Sequence, residues 1–264
     1  STRSGTNEWH GSTVEFLRND AFDANEFFNK RGGKSIPPFR MNQFGGSMAG
    51  PLVLPKLYSG RNRTFFFADY QGTRWRRGDV FRSTLPTGLE RSGDFTQTFN
   101  SAGQRLIVYD PVTTRPDPSR AGQFVRDPFP GNLLPPDRID PIARKLIPYY
   151  PQPNTAGDPV SRLNNFISNA KRIIDQNQFS GRVDHNMGNR FRAFVRVAAN
   201  NTNLTQPDYY GNVASPEPGA VGTTPFHQRT AAWDNSYNLS ATTLLDVRYG
   251  FARWYQLRRT RSFG

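Results

Sequence analysis

The sequence predicts an all-β chain: an antiparallel portion of a transmembrane β-barrel, about seven strands, with long extracellular loops and at most a short helix in the loop. Three observations carry that expectation. Several segments alternate apolar and polar residues over the length of a barrel strand. Aromatic side chains gather on the apolar side of that alternation. The connections alternate between short turns and long loops, as the two ends of an outer-membrane barrel do.

The first two candidate strands run from Trp9 to Leu17 and from Gln43 to Leu54, the second rich in glycine at Gly45, Gly46 and Gly50, where backbones bend or approach closely. Lys56 to Arg63, containing Ser59-Gly60, is the turn into a third strand, Thr64 to Trp75. That strand has Phe66, Ala68 and Tyr70 on one face and Phe67, Asp69 and Gln71 on the other.

Nearly a hundred residues between Gly78 and Asp175 show little periodicity and hold 13 of the 21 prolines, too long for an ordinary connection. One short helix fits inside this stretch, with Asp140 as N-cap, Pro141 at the first helical position and Pro148 as the stop. Two shorter loops, Asn19 to Phe39 and Asn200 to Pro225, share its mix of Asn, Pro, Gly and aromatics.

Alternation is cleanest in two hairpins. Phe179, Val183 and His185 oppose Ser180, Arg182, Asp184 and Asn186; after the turn Met187-Gly188-Asn189, Phe191, Ala193, Val195 and Val197 oppose Arg192, Phe194 and Arg196. Then Ala231, Trp233, Tyr237 and Leu239 oppose Thr230, Ala232, Asp234, Ser236 and Asn238. Past Ser240-Ala241-Thr242, Leu245, Val247, Tyr249 and Phe251 oppose Asp246, Arg248, Gly250 and Ala252.

A membrane barrel needs one wet and one oily face per strand. The expected lumen-facing polar set is Asp69, Gln71, Arg182, Asp184, Arg192, Arg196, Asp234, Asp246 and Arg248. The expected lipid-facing and girdle set is Phe179, Val183, Phe191, Val195, Trp233, Tyr237, Tyr249 and Phe251. A solvated soluble sheet explains the polar residues equally well, but a sandwich core favours Val, Ile and Leu over this excess of Tyr and Trp.

Composition bounds the function. Of 264 residues, hydrophobic types make up 35%, aromatics 13%, and mean hydropathy is −0.70. A large dry core is not expected, yet the aromatic content argues against disorder. Zero cysteine removes disulfides, thiol catalysis and cysteine zinc sites. His10, His185 and His227 lack metal-ligand spacing. No 18-residue apolar run exists, which excludes a transmembrane helix and leaves a transmembrane barrel open.

No catalytic centre assembles: Asp184 and His185 are adjacent on a strand and point to opposite faces. Gly45-Gly46 with Gly50 lacks the Lys-Ser/Thr of a phosphate loop. An enzyme is not expected, nor a cofactor or a metal. The net charge of +13 and two basic clusters, Arg74-Trp75-Arg76-Arg77 and Arg258, Arg259, Arg261, raise nucleic acid as a partner. Both clusters are expected at strand ends facing the long loops, where anionic headgroups or an acidic ligand account for them, so no nucleic acid is expected.

The segment SGTNEWHGSTVEFLRNDAFDANEFF resembles the plug-to-barrel junction and first barrel strand of Oar-like TonB-dependent transporters of the outer membrane. PPFRMNQFGGSMAGPLVLPKLYSGRNRTFFFADYQGTR resembles their second and third strands. RSGDF, VYDPVTTRP, RDPFPGNLLPPDRIDPIARKLIPYYPQPN and DQNQFSGRVDHNMGNRFRAFVRV resemble the long loop and next hairpin, in family order. The resemblance implies a 22-stranded barrel with a plugged lumen, taking up a large or scarce solute with energy delivered by TonB. Residues 1–7 would end the plug junction, and 8–264 would form the N-terminal part of the barrel with 78–175 as its long extracellular loop.

TonB box, complete plug and terminal aromatic strand are missing from this sequence, which begins at Ser1 without a leader, so an early-barrel fragment with two unpaired edges is expected. Expected partners are outer-membrane lipid, the TonB complex through the missing plug, and an unknown extracellular solute. The competing reading is a passive outer-membrane barrel serving as a surface adhesion or interaction platform.

Overall fold

The computed structural model describes residues 4–25, 27, 30, 35–215 and 222–258. Seven long strands form one antiparallel sheet: β1 (His10–Asn19), β2 (Phe39–Pro51), β5 (Thr64–Ser83), β8 (Phe166–Met187), β9 (Phe191–Thr205), β10 (Thr223–Asn238) and β11 (Leu244–Gln256). Their spatial order is their chain order, an up-and-down meander that ends on β1 at one edge and β11 at the other. Two-residue strands make up the rest: β3 (Val53–Leu54) with β4 (Tyr58–Ser59), and β6 (Arg115–Pro116) with β7 (Phe124–Val125).

The described residues divide into two compact units. The first, residues 4–79, 171–207 and 222–258, carries the sheet; the second comprises 80–170 and 208–215. Burial differs between them. Among the described residues the four large hydrophobic side chains that are buried, Leu85, Phe129, Phe166 and Tyr209, belong to the second unit. Within the sheet unit, Phe16, Phe179, Val195, Val197, Trp233, Tyr249 and Phe251 are all exposed. A sheet that leaves its apolar residues uncovered in this way needs a nonaqueous neighbour.

Three expectations about elements are corrected. The stretch 78–175 is not all loop, because β5 continues to Ser83 and β8 begins at Phe166. Beyond the membrane both faces of a strand are wet, so the alternation that marks a strand in sequence disappears there. The turn Lys56 to Arg63 holds strand β4, with Lys56 and Asn62 at positive φ. The stretch between β5 and β8 holds two α-helices: α1 (Gly88–Arg91), closed by a capping box between Thr87 and Glu90, and α2 (Pro141–Leu146), capped by Asp140, which accepts from the Ile142 and Ala143 amides. The second is the expected helix, running into a 3-10 turn at Ile147–Tyr149.

The second unit is held by amide side chains gripping backbone. Asn165 is buried; its Oδ1 accepts from the Leu85 amide at 2.8 Å and its Nδ2 donates to the Leu85 carbonyl at 2.8 Å. Asn132, also buried and at positive φ, accepts from the Val108 amide at 2.8 Å and donates to Phe95 and Leu106 carbonyls at 2.6 and 2.9 Å. Tyr209 stacks on Phe81 at 4.4 Å, and Tyr210 meets Phe166 edge-on at 5.3 Å. Asn132→Ala leaves buried backbone groups unpaired and is expected to cost about 2 kcal/mol, read as a Val108 amide exchanging on the order of thirtyfold faster.

Candidate functional site

The sheet's two faces are the candidate site, and register decides which side chains share a face. Arg182 stands opposite Arg196, Asp234 opposite Phe194 and Arg248, and Ser236 opposite Arg192 and Asp246. The Ser180 hydroxyl donates to the Asp69 carboxylate, which adds β5 to the same side. All nine residues of the polar set therefore share one face. The eight apolar ones share the other, where the Phe179 ring lies 4.7 Å from Tyr70.

On the polar face charges pair along and across strands. Arg182 forks onto Asp184, with its NH2 nitrogen 2.7 Å from Oδ1 and its Nε 2.9 Å from Oδ2, and its guanidinium carbon is 4.0 Å from the Phe194 ring centre. Arg248 reaches both Asp234 and Asp246 at 2.6 Å, and Ser236 donates to Asp246 at 2.7 Å. Among the described residues Arg196 Nε is buried without a hydrogen-bond partner. It lines a hollow of about 430 Å³ with Asp69, Ser180, Asn200, Gln228 and Thr230. A second hollow of about 460 Å³ is lined by Arg182, Asp184, Arg192 and Asp234 among others. Such a wall hydrates and pairs polar groups.

The apolar face forms a band. Counting from the short turns, successive cross-strand rows are Phe191, Tyr237 and Leu245; then His185, Ala193, Asn235 and Val247; then Val183, Val195, Trp233 and Tyr249; then Gly181, Val197, Ala231 and Phe251; then Phe179, Ala199, Arg229 and Arg253. Exposure of the rings runs against a water-soluble body: Trp233, Tyr249 and Phe251 are 42%, 64% and 46% exposed; on the polar face the side chains of Arg182, Asp184 and Asp234 are 19%, 13% and 14% exposed, and that of Arg248 on the edge strand is 72% exposed.

A meander with oily rings outside and paired charges on the opposite face is how a chain crosses a membrane in strands. Residues 1–264 match the family described as outer membrane beta barrel domain. The chain belongs to that family. No curated protein and no solved structure matches it. This outer membrane β-barrel domain resides in the cell outer membrane, and none of its described helices is long and apolar enough to cross a membrane.

In the barrel domain the basic cluster of β5 lies within the strand rather than at its end, since Arg74–Arg77 precede Ser83 by several residues. Alternation splits it. Arg74 and Arg76, on the face of Tyr70, reach across to β8: Arg74 donates to the Gln176 carbonyl at 2.8 Å and to Asn177 at 2.9 Å, and Arg76 pairs with Asp175 at 2.7 Å. Arg172 bridges to Asp79 at 2.8 Å. These partners were missed because Asp175 to Gln178 has no alternation, although Arg-x-Arg spacing already placed Arg74 and Arg76 on one side. Arg258 ends the described chain after β11; Arg259 and Arg261 lie outside the described residues.

Aspartates pin the second unit's surface. Arg138 donates to Asp110 at 2.5 Å and the Val112 amide adds a second bond, so Asp110 titrates below the ordinary aspartate value of 3.8. The Arg115 fork at 2.7 and 2.8 Å lowers Asp127, and the Thr96 hydroxyl lowers Asp94. A depressed carboxylate gives stability that is present above 3.8 and lost as pH falls through its folded value. Limited proteolysis of this unit is expected to accelerate only below about pH 4, and unchanged cleavage there would contradict it.

Proposed function

We propose that this domain is part of a TonB-dependent outer-membrane receptor that takes up a large or scarce solute. In this reading the face of Trp233, Tyr249 and Phe251 meets hydrocarbon, and the face of Arg182, Asp184, Asp234 and Arg248 lines the lumen. The single observation that supports it most is the asymmetry of the connections. Gly188–Arg190 and Leu239–Thr243 are short turns, whereas 84–165 is a long insertion with its own buried residues. A passive wall gains nothing from so built a loop, while a receptor uses it to hold or gate a ligand. The lumen's paired charges give a plug or a polar solute many hydrogen-bonding positions. In this reading the protein is no enzyme and takes no cofactor.

The test is uptake of a labelled oligosaccharide mixture by cells making the protein, with TonB present and depleted. The proposal expects uptake to need TonB and to fall when residues 84–165 are replaced by a short linker. TonB-independent surface retention of the same label would favour an adhesion platform instead.

A further inference from the structure

Arg229 and Arg253 stand directly opposite each other on the apolar face. Like charges so placed repel, and among the described residues no carboxylate pairs with either. Arg229 is held by neutral acceptors, the Gln228 carbonyl at 2.9 Å and Asn201 Oδ1 at 2.8 Å; among the described residues Arg253 has no hydrogen-bond or ion-pair partner. A sheet does not set two arginines face to face beside phenylalanines for its own stability.

Immediately beneath them, toward the short turns, is an apolar hollow of about 460 Å³, walled by Phe179 and Phe251 and floored by Gly181, Val197, Ala199 and Ala231. Arg229 forms its rim. The floor is low because these residues are small between two rings.

The height fits as well. Arg229 lies nine residues before Asn238 and Arg253 nine after Leu244, the two ends of a short turn. At about 3.3 Å per residue and a tilt of 35–45°, both stand roughly 21–24 Å above that turn along the barrel axis, near the upper rim of an apolar band about 25 Å tall. Two unpaired cations above an oily slot match a lipid with an anionic head and acyl chains.

We propose that Arg229 and Arg253 hold the phosphate of an outer-leaflet lipid whose acyl chain lies in the hollow between Phe179 and Phe251. The proposal rests on the apolar face meeting lipid and is independent of whether uptake needs TonB. Arginine pairs suit phosphate because each guanidinium donates two parallel hydrogen bonds, and the anion converts their repulsion into a shared attraction.

The test uses the full chain in phosphatidylcholine nanodiscs doped with bisphosphorylated or dephosphorylated lipid A, with bound lipid counted by native mass spectrometry. Retention of the bisphosphorylated lipid is expected to exceed that of the dephosphorylated one by at least about tenfold. Arg229→Gln with Arg253→Gln should abolish that preference, and Ala231→Trp, which fills the hollow, should reduce retention of both lipids.

The stability effect of Arg253→Gln should depend on the lipid: neutral or stabilising without phosphate, destabilising with it. A double variant that still prefers the bisphosphorylated lipid as strongly as the unsubstituted chain would overturn the proposal. So would inorganic phosphate displacing the lipid at comparable concentration, which would mean a free-anion site. A spin label at Val195→Cys in the same nanodiscs reports whether this face meets lipid, so a failed lipid preference with the label still in hydrocarbon counts against the site alone.

Discussion

Val195→Arg is expected to cost about 2–4 kcal/mol of folded stability in a bilayer, because Val195 sits in the middle row of the apolar band between Val183 and Trp233. Its side chain is exposed, so in a water-soluble sheet the same substitution would cost almost nothing. That contrast makes the mutation informative. Ala198→Arg, opposite Ser180 on the polar face and lining the same hollow as Asp69, is the control and is expected to cost under about 1 kcal/mol. Urea titration of both variants in lipid vesicles checks the pair; equal losses would mean that the two faces do not differ in their surroundings.

Gly45→Val should be comparably severe for a reason that has nothing to do with lipid. Gly45 pairs with Gln71 in the β2–β5 register, and a Cβ built there would overlap the Tyr70 carbonyl oxygen and stand 3.2 Å from the Gln71 Cα. Both obstacles are backbone, so the strands must part to admit any side chain. A loss of about 3 kcal/mol and a fall in folded yield are expected, and amide exchange along β2 and β5 would locate the damage. Gly88, with nothing near its Cβ position, should accept alanine without loss.

How far sequence alone reached follows from where alternation survives. The hairpins around Gly188 and around Ser240 to Thr242 were legible residue by residue, because one face of each strand must be oily and the other wet, and the observed register keeps the two sets apart. The same rule went silent where it had no physical basis. The first turns of β8, Phe166 to Asp175, and the last of β5 carry polar groups on both sides, so they read as loop. Helix α1 left a usable signal, Thr87 three residues before Glu90, that went unread because four residues are too few to show a period. The Asn132 and Asn165 clamps have no sequence signature at all; they depend on backbone brought together from residues 24 to 80 positions away.

For the candidate site, parity assigned every polar and apolar residue to a face, but not which charges meet. Arg182 pairs with Asp184 two residues along its own strand, while Arg248 reaches across to Asp234. Both outcomes are compatible with the same alternation, and only register and side-chain reach distinguish them.

The chain's lack of cysteine permits the decisive measurement: single cysteines carrying a nitroxide label at 195, 233, 249 and 251, and at 182, 184, 234 and 246, with collision rates to oxygen and to a water-soluble nickel chelate recorded in a bilayer. A two-faced membrane wall predicts that the first four labels meet oxygen and escape nickel, and the second four do the reverse. Nickel reaching all eight alike would contradict it.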